Sequence, residues 1–249
     1  MGKISLNDVS VSNANSSNQV GFFNLKNDGE EAVVRFMVDS VDDMEILTTH
    51  DIKLDGRFRQ ISCLRDPREP MENCPLCARG ENVKQVVFIK MIQYENTENG
   101  IQAKPVVWQR NANTYAFRIK GYLDNYGPLS NILCKIIRHG KSGDVKTTYD
   151  IIPNLNPAQF PQENYPADKS AFEDYSALGT VVLDKSKEDI NTFIASGSFP
   201  MEQNVPPQNV PPAMNAVPTD DDLPFGQPYN NVGNNVPSMN GMGKPNRYY

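Results

Sequence analysis

From position 21 onward, apolar residues alternate with polar ones or gather in short runs, the period of strands rather than of helices. Segments 22–25 and 32–38, joined by a turn at Asn27-Asp28-Gly29, predict one β-hairpin. Segments 46–52 and 58–62, joined through Leu54-Asp55-Gly56, predict a second. Three more strands are expected at 85–93, 115–119 and 132–138, with a short helix within 121–127. Ser186-Lys187-Glu188-Asp189 opens like a capping box before Ile190, Phe193 and Ile194, and Gly197 is placed to end that helix. Ala171, Phe172 and Tyr175 share a helical face, which predicts another helix over 168–177. Many short strands separated by turns, without alternating helices, give a mainly β fold: a small barrel or sandwich rather than βαβ units.

The two ends of the chain differ from this pattern. Residues 1–20 lack a clear period and read as a flexible arm. From Pro200 onward ten of the 19 prolines accumulate, Asn-Val-Pro recurs at Asn204, Asn209 and Asn235, and apolar residues are too scattered to build a core. The expected organisation is therefore an arm over 1–20, a folded core over 21–199 and a disordered Pro/Asn-rich tail over 200–249. Within the tail lies an acidic run capped by apolar groups, Asp220, Asp221, Asp222, Leu223, Pro224 and Phe225. No apolar stretch is long enough for a membrane span, and the first residues do not form a secretory signal, so a cytoplasmic protein without a membrane partner is expected.

The cysteines add chemistry to this frame. His50, Cys63, Cys74 and Cys77 form His-x12-Cys-x10-Cys-x2-Cys, and Cys74-Pro75-Leu76-Cys77 is a tight knuckle that lets two thiolates reach one ion. Three thiolates and an imidazole fill a tetrahedral shell, which predicts one structural Zn2+ in a subdomain at about 50–80 and no place for a reacting water. Binding of that kind contributes on the order of 10 kcal/mol to ordering its loops. His139 is the other histidine and the alternative fourth donor, whereas Cys134, inside an apolar run, reads as a core residue. A redox Cys-x-x-Cys would expect a βαβ setting, and a zinc deaminase would need Glu two residues after the histidine, where Ile52 stands. Neither a phosphate-cradling glycine loop nor a nucleophile triad is present, so no enzyme is expected.

Charge is uneven. The chain carries a net −6, yet residues 84–146 hold 10 Lys/Arg against 4 Asp/Glu. Basic groups interleaved with aromatics are what a single-strand groove needs, cations for phosphates and ring faces for bases. The candidates are Lys90, Tyr94, Trp108, Arg110, Tyr115, Arg118, Lys120, Tyr122, Lys135 and Arg138. On a strand, Arg118 and Lys120 would share one face and Tyr115, Phe117 and Ile119 the other. Core packing and base stacking are both open for Tyr115 and Phe117, while the polar neighbours of Trp108 favour stacking.

Together, the zinc spacing, Glu31-Ala32-Val33-Val34-Arg35-Phe36-Met37 and Tyr115-Ala116-Phe117-Arg118-Ile119-Lys120-Gly121 resemble the T-even bacteriophage single-stranded DNA-binding (helix-destabilising) protein family, over about residues 21–153. The resemblance implies an OB-fold-like five-stranded barrel with a zinc-binding insertion and sequence-independent binding of single-stranded DNA. It further implies a role in phage replication, recombination and repair, with self-association along the strand. The family's basic N-terminal motif for cooperative contacts has no counterpart here beyond Lys3. The 220–225 run looks like the acidic tip of cellular bacterial single-stranded DNA-binding proteins, which implies replication and recombination proteins as partners. The competing reading is a zinc-knuckle adaptor, a replication or transcription accessory factor that binds proteins and not single strands.

Overall fold

The computed structural model describes residues 20–200, apart from positions 142 and 145. The expected arm, save Val20, and the tail with Asp220–Phe225, save Pro200, lie outside the described residues. Eight strands form one mixed sheet: β1 (Gly21–Phe22), β2 (Glu31–Phe36), β3 (Glu45–Leu54), β4 (Arg57–Ser62), β5 (Lys84–Thr97), β6 (Gly100–Asn111), β7 (Cys134–His139) and β8 (Thr148–Ile152). Among the described residues three α-helices accompany them: α1 (Pro75–Ala78), α2 (Ala112–Tyr126) and α3 (Lys187–Ser196). The main path runs β1-β6-β5-β2-β7-β8, with β3 also on β5 and β4 on β3. Among the described residues the pairings leave an open sheet and not a closed five-stranded ring. No described helix is long and apolar enough to cross a membrane.

Strand β5 is the pivot. One edge pairs with β6 from Val86 to Thr97, and the other is shared between β3, at Lys84–Phe88, and β2, at Met91–Tyr94. Both of its faces are buried, which is why 86–92 read as an almost continuous apolar run. Val87, Ile89 and Met91 enter a cluster with Phe36, Trp108 and Ile136 under helix α2. Val86, Phe88, Ile92 and Tyr94 enter a second cluster covered by Tyr165, Phe172 and Val182. Cys134 is buried in the first cluster, as its apolar run suggested.

The 46–62 hairpin forms as expected, with Asp55 and Gly56 both at positive φ (50° and 79°), the conformation a two-residue hairpin turn requires. Helix α3 also forms, with Ser186 accepting from Asp189 N and Gly197 left-handed at its end.

Three expectations are corrected. Segment 22–25 does not pair with 32–38: β1 lies parallel to β6, and Phe23 N donates to Val107 O while Phe23 and Leu25 sink into the core. Segment 115–119 is helical, because over the longer window Ala112, Tyr115 and Ile119 are buried at helical spacing, with Ala116, Tyr122 and Leu123 packed beside them. That turns Phe117 outward. The helix expected over 168–177 shrinks to a 3-10 turn at Ser170–Phe172, since the Glu45 carboxylate takes the N–H groups of Ala177 and Leu178 and the Ser176 hydroxyl. Strands β6 and β8 were not foreseen.

Candidate metal centre

The four donors come from three local structures. His50 lies on β3, opposite Ile61 of β4. Cys63 follows β4 directly, its N–H donating to Thr48 O at 2.8 Å, so the hairpin register fixes both. Cys74 caps helix α1 and Cys77 lies within it; Ala78 N bonds to Cys74 O and Gly80 N to Cys77 O, closing the knuckle. The donor atoms all lie within 4.8 Å of one another. Cys63 Sγ is 3.5 Å from Cys77 Sγ, and His50 Nε2 is 3.5 Å from both Cys74 Sγ and Cys77 Sγ. A tetrahedral zinc needs S–S edges of roughly 3.8 Å and S–N edges of roughly 3.6 Å, which these three edges approach. All four cysteines are free thiols, and a 3.5 Å sulfur separation is far from the roughly 2.05 Å of a disulfide.

The surroundings suit a metal. His50 Nδ1 lies 3.0 Å from Asn82 O, and donation there leaves the Nε2 lone pair directed at the sulfurs. Burial lowers the His50 pKa, which favours the neutral, ligating imidazole. Burial pushes the Cys63 thiol up to about 12. Burial acts the same way on Cys74, but N–H groups of Cys77, Leu64 and Leu76 outweigh it and hold that thiol below its ordinary value. Arg65 donates from Nε to Cys77 Sγ at 3.1 Å and from Nη1 to the carbonyls of Asp66, Pro67 and Glu69. One guanidinium therefore offsets thiolate charge and ties down the intervening loop. His139 is exposed and bonds Asp150 at 2.9 Å, outside the donor set.

The centre is not isolated. Cys74, Leu76 and Cys77 share a buried cluster with Ile52, Ile61 and Ile190, and Phe193, Ile194 and Phe199 pack against it. Leu183 pairs with Ile61, and Lys187 reaches Glu72 O. The metal site thus joins the base of the hairpin to helix α3.

The basic, aromatic middle is used differently from the expectation. Trp108 is fully buried, edge-on to Phe23, Tyr115 and Tyr149 at centroid distances of 5.1–5.7 Å, so its ring offers no face to a base. Arg110 is buried with it, its guanidinium 4.8 Å from the Trp108 ring and 4.2 Å from the Tyr149 ring. Arg138 is buried and donates to Leu25 O, Gly140 O, Lys141 O, the Tyr149 hydroxyl and Thr147 Oγ1. Tyr115 is a core residue, and buried Tyr94 donates to Pro166 O.

The others are more accessible. Arg118 and Tyr122 are half-buried and bond the β8 carbonyls of Tyr149 and Ile151, respectively. Lys120 pairs with Asp124, and Lys135 with Glu31. Lys90 lines a cleft of about 420 Å³ together with Asp42, Asp43, Glu45 and Glu173, surroundings unsuited to a phosphate. Sequence reasoning passed over the tip of the β3–β4 hairpin, where Lys53, Arg57 and Phe58 are exposed and Arg59 is half-buried. The signal was legible: Arg-Phe-Arg directly after the Asp-Gly turn.

No protein-family model and no curated protein matches the chain.

Proposed function

We propose that the chain is a sequence-independent, non-enzymatic single-stranded DNA-binding protein on an OB-like β-fold with one structural zinc. The observation that carries this reading is the convergence of His50, Cys63, Cys74 and Cys77 into a compact four-donor set. It is the motif on which the resemblance to the phage helix-destabilising family chiefly rests. With every tetrahedral position taken by protein, the ion organises the hairpin, the knuckle and α3 and has no position for substrate. The long β5, shared by three neighbouring strands, is compatible with the curved sheet of an OB-like core. A role in phage replication, recombination and repair follows from the resemblance, as does a host-cytoplasmic location. Recruitment of replication and recombination proteins falls to Asp220–Phe225.

One observation favours the adaptor reading instead: Tyr94, Trp108, Arg110, Tyr115 and Arg138, five of the ten residues expected to bind DNA, are built into the core. Titrating labelled oligo-dT with the zinc-loaded full chain over a salt series separates the two. A DNA-binding protein gives log affinity falling linearly with log salt, at about −0.7 per phosphate contacted. Absence of binding at low salt, with protein partners retained after nuclease treatment, would establish the adaptor.

A further inference from the structure

We infer that the tip of the β3–β4 ribbon is a contact element for unpaired nucleotides, with Phe58 as the stacking platform and Lys53, Arg57 and Arg59 as phosphate contacts. This rests on the single-strand reading above and moves the contact from the basic middle to a segment inside the net-acidic first third of the chain.

Exposure and charge carry the inference. Phe58 is 62% exposed, and only Phe117 at 71% exceeds it among the exposed large hydrophobic residues described. The two sites differ in charge. Beside Phe117 on α2, Lys120 is paired with Asp124, and Arg118 is half-buried with its guanidinium on the Tyr149 carbonyl and the Tyr122 hydroxyl. Around Phe58, none of Lys53, Arg57 and Arg59 makes an ion pair among the described residues. Three cations without an ion pair among the described residues, next to an outward aromatic ring, match the two terms of single-strand binding, phosphate attraction and base stacking.

The ribbon also has the geometry for it. Lys53 and Phe58 are directly opposed across the two strands and so share a face, with Cβ atoms about 4.5–5.5 Å apart. A base lying on the ring would place its phosphate within reach of the lysine. Arg57 and Arg59 alternate onto the other face, where a strand bending around the tip would meet them. The tip is held at both ends. Asp55 and Gly56 close the turn, and at the base His50 on one strand and Cys63 after the other belong to one metal site. Fixing the ribbon before binding reduces the ordering cost that a flexible loop would incur. The ligand class follows from the ring: its face is useful only where base faces are exposed, in single strands and not in a stacked duplex.

The test uses full-length, zinc-loaded protein, with oligo-dT and a duplex of matched length as probes. Phe58→Ala should weaken oligo-dT binding by roughly 5- to 150-fold, the range for one stacked base. Arg57→Gln with Arg59→Gln should reduce the salt slope by roughly 0.7 for each phosphate no longer held. Phe58→Trp provides a readout independent of affinity: its exposed indole should be quenched by oligo-dT and not by the duplex. Phe117→Ala is the comparison and should bind like the wild type, with thermal stability and zinc content checked throughout. If the wild type binds oligo-dT while the Phe58 and arginine variants match it in affinity and slope, the ribbon assignment fails and the function stands. If the wild type does not bind, the function itself fails. Equal quenching of Phe58→Trp by the duplex would overturn the stacking role.

Discussion

Stripping the metal should open one part of the protein and leave the rest folded. The two larger clusters, around Trp108 and around Phe88, contain none of the four donors, whereas the cluster of Ile52, Ile61, Leu76 and Ile190 includes Cys74 and Cys77 directly. Comparable donor sets in zinc-finger peptides bind with about 10–16 kcal/mol of apparent free energy. Even a free-metal concentration only a thousandfold above the dissociation constant would stabilise the site by about 4 kcal/mol, a thousandfold in local opening. Hydrogen exchange of the full chain with and without a chelator reads this out by segment. The amides of Cys63, Ala78 and Gly80, bonded to Thr48, Cys74 and Cys77, should lose at least two orders of magnitude of protection, and Ile190 in α3 should follow. Amides of Val34, Phe36 and Ile89 should be unaffected. Uniform loss across the sheet, or no change anywhere, would refute this division.

Three further outcomes are expected. Arg35 is buried and donates to Tyr94 Oη, Ser130 O, Gln162 Oε1 and Tyr165 O, so Arg35→Lys, which cannot span those acceptors, should cost about 2–5 kcal/mol in urea unfolding. Burial acts to raise the Asp39 pKa, but hydrogen bonds from Lys169 and Ser130 outweigh it and hold the carboxyl below 3.8. Its contribution is therefore present above about pH 4 and lost as pH falls through the lowered value; Asp39→Asn should flatten the acid limb of stability against pH below 4. The single tryptophan should emit at short wavelength, resist acrylamide and change little when oligo-dT binds, because Trp108 is enclosed by Phe23, Tyr115 and Tyr149. Strong quenching on binding would place Trp108 at the surface.

What could be read in the sequence was local. The Asp55-Gly56 turn, the Cys74–Cys77 knuckle and the Ser186 and Gly197 caps each depend on neighbours in the chain, and each formed where it was expected. Strand β6 was missed although Ile101, Gln102, Ala103 and Lys104 alternate apolar and polar, because Pro105 argues against a strand interior. Residues 115–119 satisfy both a strand and a helix period, and Ala112, Tyr122 and Leu123 outside that window favour the helix. Counting charges puts Arg110 and Arg138 on an accessible groove because it assumes that arginines face water. Arg35, Arg110 and Arg138 are instead enclosed by carbonyls and rings that meet only in the fold. The same averaging hid Arg57-Phe58-Arg59 inside a segment, 1–83, that carries 9 basic and 14 acidic residues.

Native mass spectrometry of the full chain mixed with a short oligo-dT at low salt tests the metal and the nucleic acid together. The expected dominant species is one chain, one zinc and one or more oligonucleotides, with the complex dissociating as salt rises and the zinc retained. A metal-free chain, or a zinc-loaded chain that carries no oligonucleotide, would contradict it.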